Sequence, residues 1–363
     1  MRVLVVNAGS SSLKLRLLGD ADEVECAEEL AVASHGIDAD ELLGVISDWP
    51  PADVVGHRIV HGGTRFTTSV RVDAQVRTAL DELTSLAPLH QPKSLAALDA
   101  VTSALPDVPA VACFDTAFHT TIPPAAATYA VPLAWRDRYA IRRYGFHGLS
   151  HAYAARRAAQ LVAEPVEQLR IVTCHLGAGA SLCAVRDGRS VDTTMGFTPL
   201  EGLVMATRSG NIDPGLVLWL EDHEKLTPNE IADALEHRSG LLGLAGTGDM
   251  RAVERAVARG DERAMLALDV YVHRLTAGIA AMTAATGGLD VLVFTGGVGE
   301  NSVPVRQRTA DRLAHLGVAV DPGLNEDGVT DSDISKPAAA VRTVVVAARE
   351  DLEIAAGARC AMT

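Results

Sequence analysis

Several common signatures are missing from this chain. Its 363 residues include only five cysteines, Cys26, Cys113, Cys174, Cys183 and Cys360, and no CxxC pair. Neither a zinc site nor a disulfide framework is therefore expected. Most of these cysteines sit in apolar runs, where thiols are inert. No long basic run occurs and the net charge is −14. That argues against nucleic acid or an anionic membrane as the main partner. Small anions remain open, since they need only local positive charge. No run of eighteen apolar residues occurs, so no membrane span is expected. The apolar stretch Val3 to Val6 stops at Asn7, too short for a secretory leader. Together these absences fit a reducing cytoplasm.

What is present is enough apolar material for two folded domains. Hydrophobic residues make up 48% of the chain, which excludes general disorder. The length makes two domains the default. Val3 to Val6 reads as a buried strand, and Leu13, Leu15 and Leu17 alternate with Lys14 and Arg16 as a second strand. Between them Asn7-Ala8-Gly9-Ser10-Ser11-Ser12 forms a turn rich in N–H and hydroxyl donors, either an ordinary hairpin or an anion cradle. The pattern recurs about half a chain later. Ile171 to Cys174 meets the turn Gly177-Ala178-Gly179-Ala180-Ser181, and Leu182 to Val185 resumes the apolar run. Two such units predict two similar domains.

Charged residues in apolar settings supply the other candidates. Arg58 lies within the strand Val54 to Val60, so it is either a structural ion pair or an anion ligand. Asp115 follows the strand Val108 to Phe114, where open α/β sheets place chemistry, although a turn or capping Asp looks the same. Residues 18–53 read as an acidic, broken, solvated face with a helical patch near Asp40 to Asp48. Helices are predicted over 72–86, from the Ala87–Pro92 break to about Ala104, and over 214–239. Met265, Leu268, Val272, Leu275, Ile279 and Met282 form a helical apolar stripe. Thr207 to Gly215 is a Gly/Pro loop carrying Arg208. Asp290 to Thr295 is a strand leading through Gly296-Gly297-Val298-Gly299-Glu300-Asn301 into a helix. That loop is neither GxGxxG nor a P-loop.

Seven segments together carry a resemblance. They are NAGSSSLK at 7–14, HRIVHGG at 57–63, FDTAFH at 114–119, YGFHG at 144–148, MGFTPLEGL at 195–203, TRSGNIDP at 207–214 and GGVGENS at 296–302. In this order they resemble the acetate kinase family, a branch of the acetate and sugar kinase, heat-shock chaperone and actin superfamily. The resemblance implies a two-domain actin-like ATPase (ribonuclease H-like) α/β fold, a duplicated βββαβαβα core around a central cleft. It implies an N-terminal domain of residues 1–117, joined by a returning helix at 351–363, and a nucleotide-binding domain of residues 118–350. It also implies phosphoryl transfer between ATP and acetate, giving acetyl phosphate and ADP, with Mg2+ (Mn2+ as a substitute) and a homodimer. Propionate or butyrate is the alternative substrate, and a non-catalytic nucleotide switch a more distant alternative.

Carried over by position, Asn7 and Glu350 lie at the metal site. Asp115, His147 and Arg208 are catalytic. Arg58, Val60, Leu89, Phe146 and Pro199 bind the substrate acid. Lys14, His175, Leu176, Gly177, Ala178 and Gly179 meet the ATP phosphates. Asp249, Met250, Arg251, Gly297, Val298, Gly299, Glu300 and Asn301 hold the adenosine side. Three features depart from the family: the acidic 18–53 region is short, Ala178 stands where Asn is usual, and Arg349 replaces an Asn before Glu350.

Physical chemistry supports this set independently. Acetate is already ionised near neutral pH, since carboxyl groups titrate near pH 4 to 5, and needs no base. The barrier is bringing an anion onto a polyanion. Arginines, a histidine and a divalent cation meet that need by positioning both anions and neutralising charge on the transferring group. A hydroxyl acceptor would instead call for a carboxylate base. Asp115 is thus expected to orient partners rather than remove a proton.

Overall fold

The computed structural model describes residues 1–9, 12–31, 39–88 and 90–363. They divide into two compact units. The first comprises Met1–Thr120, Phe146–Tyr153 and Arg349–Thr363, and the second Thr121–Gly145 and Ala154–Ala348. Residues 146–153, expected in the second domain, lie in the first. Two hydrogen bonds account for this: Gly148 N–H donates to the Asp115 carbonyl (2.8 Å), and the His119 ring to the Phe146 carbonyl (3.0 Å).

The first unit is built on β1 (Val3–Ala8), β2 (Ser12–Leu18), β3 (Val24–Ala31), β4 (Val54–Ile59), β5 (Val70–Arg71) and β6 (Ala110–Phe114), in the sheet order β3-β2-β1-β4-β6-β5. β1, β4 and β6 run parallel, while β2, β3 and β5 pair antiparallel. Strand alternation sends Leu4, Val6 and Ala8 to one face, against Leu42, Ile46, Ala97 and Val101 of the helices Ala39–Ile46 and Gln91–Ala104. Val3, Val5, Val111 and Cys113 point the other way, onto Ile354, Ala355 and Ala358 of the helix Glu350–Ala361. Gly56 permits that contact, because a Cβ there would lie 2.7 Å from an Ile354 methyl.

The acidic segment is not merely a solvated face. Its Val24–Ala31 portion pairs with β2 as the sheet's edge strand, and Glu23, Glu25, Glu28 and Glu29 in and beside it suit an edge that must not recruit another chain.

The second unit contains β7 (Arg170–Leu176), β8 (Ala180–Arg186), β9 (Arg189–Thr193), β10 (Val291–Thr295), β11 (Ser332–Asp333) and β12 (Arg342–Val345), ordered β11-β12-β10-β7-β8-β9. Read from the other edge, this is the order of the first sheet. Again three consecutive antiparallel strands are followed by two parallel additions and a short antiparallel edge. The duplication inferred from two short hairpins extends to whole sheets.

The apolar stripe forms one face of the helix Glu262–Thr286. Leu268, Val272, Leu275, Ile279 and Met282 are buried there, whereas Met265 is exposed. This helix is long and apolar enough by composition to cross a membrane, but here it packs on β7 and β8. The helix expected over 214–239 is two helices, Pro214–His223 and Pro228–His237. Lys225 adopts a left-handed φ of 58° between them, and Thr227 and Glu230 form a capping box that starts the second. Cys113, Cys174 and Cys183 are buried, and burial pushes the Cys113 and Cys183 thiols up to about 12.

Candidate active site

In the first unit the parallel strands β1, β4 and β6 lie side by side, and each carries one candidate near its C-terminal end. Alternation places Asn7 with Val5, Arg58 with Gly56, and Asp115 with Cys113, all on the face covered by the helix Glu350–Ala361. The Arg58 guanidinium forks onto Asp115, with Nε at 3.0 and 3.1 Å from the two carboxylate oxygens and an Nη at 2.5 Å. Its other Nη donates to Asn7 Oδ1 (3.3 Å), and Asn7 Nδ2 donates to Glu350 Oε2 (2.8 Å). Residues far apart in the chain thus form one continuous polar cluster.

Asp115 is buried and Arg58 largely so. Burial works against the Arg58 cation, but Asp115 and Glu350 more than offset it and hold its pKa above the ordinary value. Burial pushes the Asp115 carboxyl up, opposed by the adjacent guanidinium. This arrangement suits anchoring a cation for anions better than proton abstraction. Lys14 is exposed on β2 directly opposite Asn7, so the two share a face.

His147 sits in a turn with a left-handed φ of 57°, between Gly145 at 76° and Gly148. A Cβ on Gly148 would fall 2.2 Å from the Asp115 carbonyl oxygen, so glycine is required for this approach. Phe146 and Val60 are buried, and the His61 ring meets Phe146 edge-on at 5.6 Å. His119, buried and held neutral with its pKa lowered to about 4, donates through Nε2 to the Phe146 carbonyl. Gln91 bridges the His61 backbone, and Thr116 accepts from Gly62 N–H. Sequence reasoning singled out none of these supporting side chains, although His61, Thr116 and His119 lie within the quoted motifs; Gln91 lies outside them. Leu89, assigned to the substrate pocket, and Ser10 of the first turn lie outside the described residues.

The residues fit a magnesium ion carried by a nucleotide. Such an ion takes one or two protein oxygens and keeps most of its waters, which Glu350 and Asn7 can supply. Among the described residues no group of three or more His, Cys, Asp or Glu forms a closed metal cage. Arg349, expected to depart from the family pattern, does not stand as a loose charge. It forks onto buried Asp351 at 2.9–3.1 Å, and Arg16 reaches the same carboxylate at 3.0 Å.

In the second unit the turn at 177–179 is closed by Gly177 N–H to the Gly179 carbonyl (2.9 Å). The Ala178 carbonyl accepts from Ala206 N–H (3.0 Å), tying this turn to the loop that carries Arg208. Gly240, at φ 62°, allows that loop to nest, because a Cβ there would meet the Met205 carbonyl at 2.2 Å. Arg208 donates to the Pro199 carbonyl (3.1 Å) and touches the Met205 sulfur. Burial lowers its pKa, opposed by Glu236. Pro199 and Arg208 are thus brought together.

Gly296, at φ 78°, lies against the Leu176 carbonyl, where a Cβ would approach to 2.8 Å. This joins the His175–Gly179 segment to the helix Gly296–Asn301, and open space lies beside Gly297. Asp249 caps the helix Met250–Ala258 and pairs with Arg251. The Met250 and Leu176 side chains are buried. The Glu300 carboxylate accepts from Ala348 N–H (3.0 Å).

Two sheets of one repeated order, with charged and polar side chains at strand ends, define an actin-like ATPase fold. Comparison with known proteins narrows this. A model of the acetokinase family matches residues 41–356. The acetate kinase of Thermotoga maritima is 44% identical over 391 residues, covering 98% of this chain and 97% of that protein. That of Gloeobacter violaceus is 49% identical over 313 residues, covering 86% and 77%. Among solved structures, Porphyromonas gingivalis acetate kinase superposes with a TM-score of 0.90 at 36% identity, covering 100% of both chains. A propionate kinase from Francisella tularensis gives 0.91 at 35%, covering 99% of both. The chain belongs to the acetokinase family.

Proposed function

We propose that this chain catalyses reversible phosphoryl transfer between ATP and acetate, giving acetyl phosphate and ADP. The observation that carries this is the Asn7–Arg58–Asp115–Glu350 cluster, a fixed cation beside the oxygens that a nucleotide-borne magnesium requires. Arg58 holds the acid's carboxylate, oriented by Asp115. Val60 and Phe146 of the first unit take its methyl group. His147 and Arg208 neutralise charge on the transferring phosphoryl group. Lys14 and residues 175–179 meet the ATP phosphates, and residues 249–251 and 297–301 hold the adenosine side. Magnesium, when bound at Asn7 and Glu350, offsets phosphate charge.

Propionate is the second reading, favoured by the close superposition with a propionate kinase. One methylene in an apolar pocket gives only about 10–200-fold discrimination. Acyl-hydroxamate formation from ATP with acetate, propionate or butyrate, with and without magnesium, tests both. The expected order is acetate, then propionate, then butyrate, with turnover lost on chelation. No acyl phosphate from any acid would leave the nucleotide-switch alternative standing.

The chain is further proposed to be a cytoplasmic homodimer. The helix Pro214–His223 has no buried residue and exposes Leu216, Leu218 and Trp219, an apolar face of the kind that marks association. Sedimentation should show a dimer that Leu218→Glu weakens. A monomeric wild-type protein excludes the dimer, and recovery in a membrane fraction excludes the location.

A further inference from the structure

Among the described residues Arg306 is the largest fully buried side chain, 1% exposed. Its donors meet uncharged oxygens. One Nη donates to the carbonyls of Gly299 (2.9 Å) and Glu300 (2.7 Å), the other to the Asn325 carbonyl (2.8 Å), and Nε to the Asn325 side chain (2.6 Å). A buried cation is costly, and well-packed apolar residues often serve stability as well or better. The reason for a guanidinium here lies in the helix Gly296–Asn301.

That helix is short, and its last carbonyls need partners. Gly297 is capped by the Asn301 side chain (2.8 Å), and Val298 by Ser302 N–H (2.9 Å). A continuing helix would bond the Glu300 carbonyl to the N–H of residue 304, but residue 304 is proline and has none. Arg306 reaches back one turn and satisfies the Gly299 and Glu300 carbonyls, where a cation also suits the helix dipole. Asn325 fixes the guanidinium from the other side and donates to the Val303 carbonyl (3.3 Å).

We infer that Arg306, clasped by Asn325, is a positioning residue that holds the Gly297–Asn301 segment in its nucleotide-binding form. This rests on the assignment of residues 297–301 to the nucleotide. Arg306 touches no substrate in this scheme; it acts through the backbone of Gly299 and Glu300.

The test is Arg306→Lys, which keeps the charge but loses the fork, and Asn325→Ala, which keeps the arginine but loosens it. ADP affinity is measured by titration calorimetry, and KM for ATP and for acetate by hydroxamate formation. In both variants ADP affinity is expected to fall about 10-fold, the scale of a lost charged hydrogen bond. KM for ATP should rise in parallel, with KM for acetate changed by less than about 2-fold. Unchanged ADP affinity in either folded variant overturns the inference, as does an equal rise in both KM values. If Arg306→Lys fails to fold, Asn325→Ala decides. Wild-type protein that binds ADP but makes no acyl phosphate overturns the proposed reaction alone. Wild-type protein that binds no ADP overturns the inference too.

Discussion

Arg58→Ala is expected to lower acyl phosphate formation by on the order of 10³-fold or more, the scale of an arginine that stabilises phosphoryl transfer. It is also expected to destabilise the protein by about 3–5 kcal/mol, because the buried Asp115 carboxylate loses its counter-charge. Both effects follow from one geometry: the guanidinium is spread across Asp115 on one edge and Asn7 on the other. Arg58→Lys should not recover activity, since an ammonium cannot span both partners. Hydroxamate assays paired with urea unfolding separate the two roles. A variant that is unstable yet fully active in its folded fraction would make Arg58 a structural ion pair and nothing more.

Arg208→Ala is expected to lower kcat by at least roughly 10²-fold, with the opposite stability signature. Arg208 is half-buried against the Pro199 carbonyl and a thioether, with no ion pair to a carboxylate among the described contacts. Its removal strands no charge and relieves a desolvated one. The melting temperature should therefore stay near wild type while turnover collapses. The contrast between the two variants is itself diagnostic: one arginine is embedded in a counter-charged cluster, while the other meets a carbonyl and a thioether among the described contacts. Near-normal turnover of Arg208→Ala would remove it from the mechanism, and a large loss of stability would recast it as a support for the 199–208 loop.

Much of this architecture is legible without coordinates, for identifiable reasons. β1, β2, β7 and β8 announce themselves because apolar alternation and small-residue turns are local signals. The helix Glu262–Thr286 shows its stripe at helical spacing for the same reason, and only Met265 strays, exposed beside the buried Ala264. The edge strand Val24–Ala31 is hidden because its glutamates suit an edge facing solvent, which in composition looks like a loop. The break near Lys225 is hidden because a left-handed lysine has no composition signal.

By itself, then, the sequence determined two similar α/β halves, the acetokinase motifs and a chemistry of anion on anion. These are carried by neighbours in the chain, and neighbour patterns survive unfolding. Only the tertiary structure decided how distant charges combine. It spread Arg58 between Asp115 and Asn7, tied Asn7 to Glu350, neutralised Arg349 on Asp351, and set Arg306 beneath a helix that a proline leaves uncapped. The physical reason is desolvation. A charge in a sequence has no fixed environment; its partners are chosen when folding removes water and leaves few oxygens within reach.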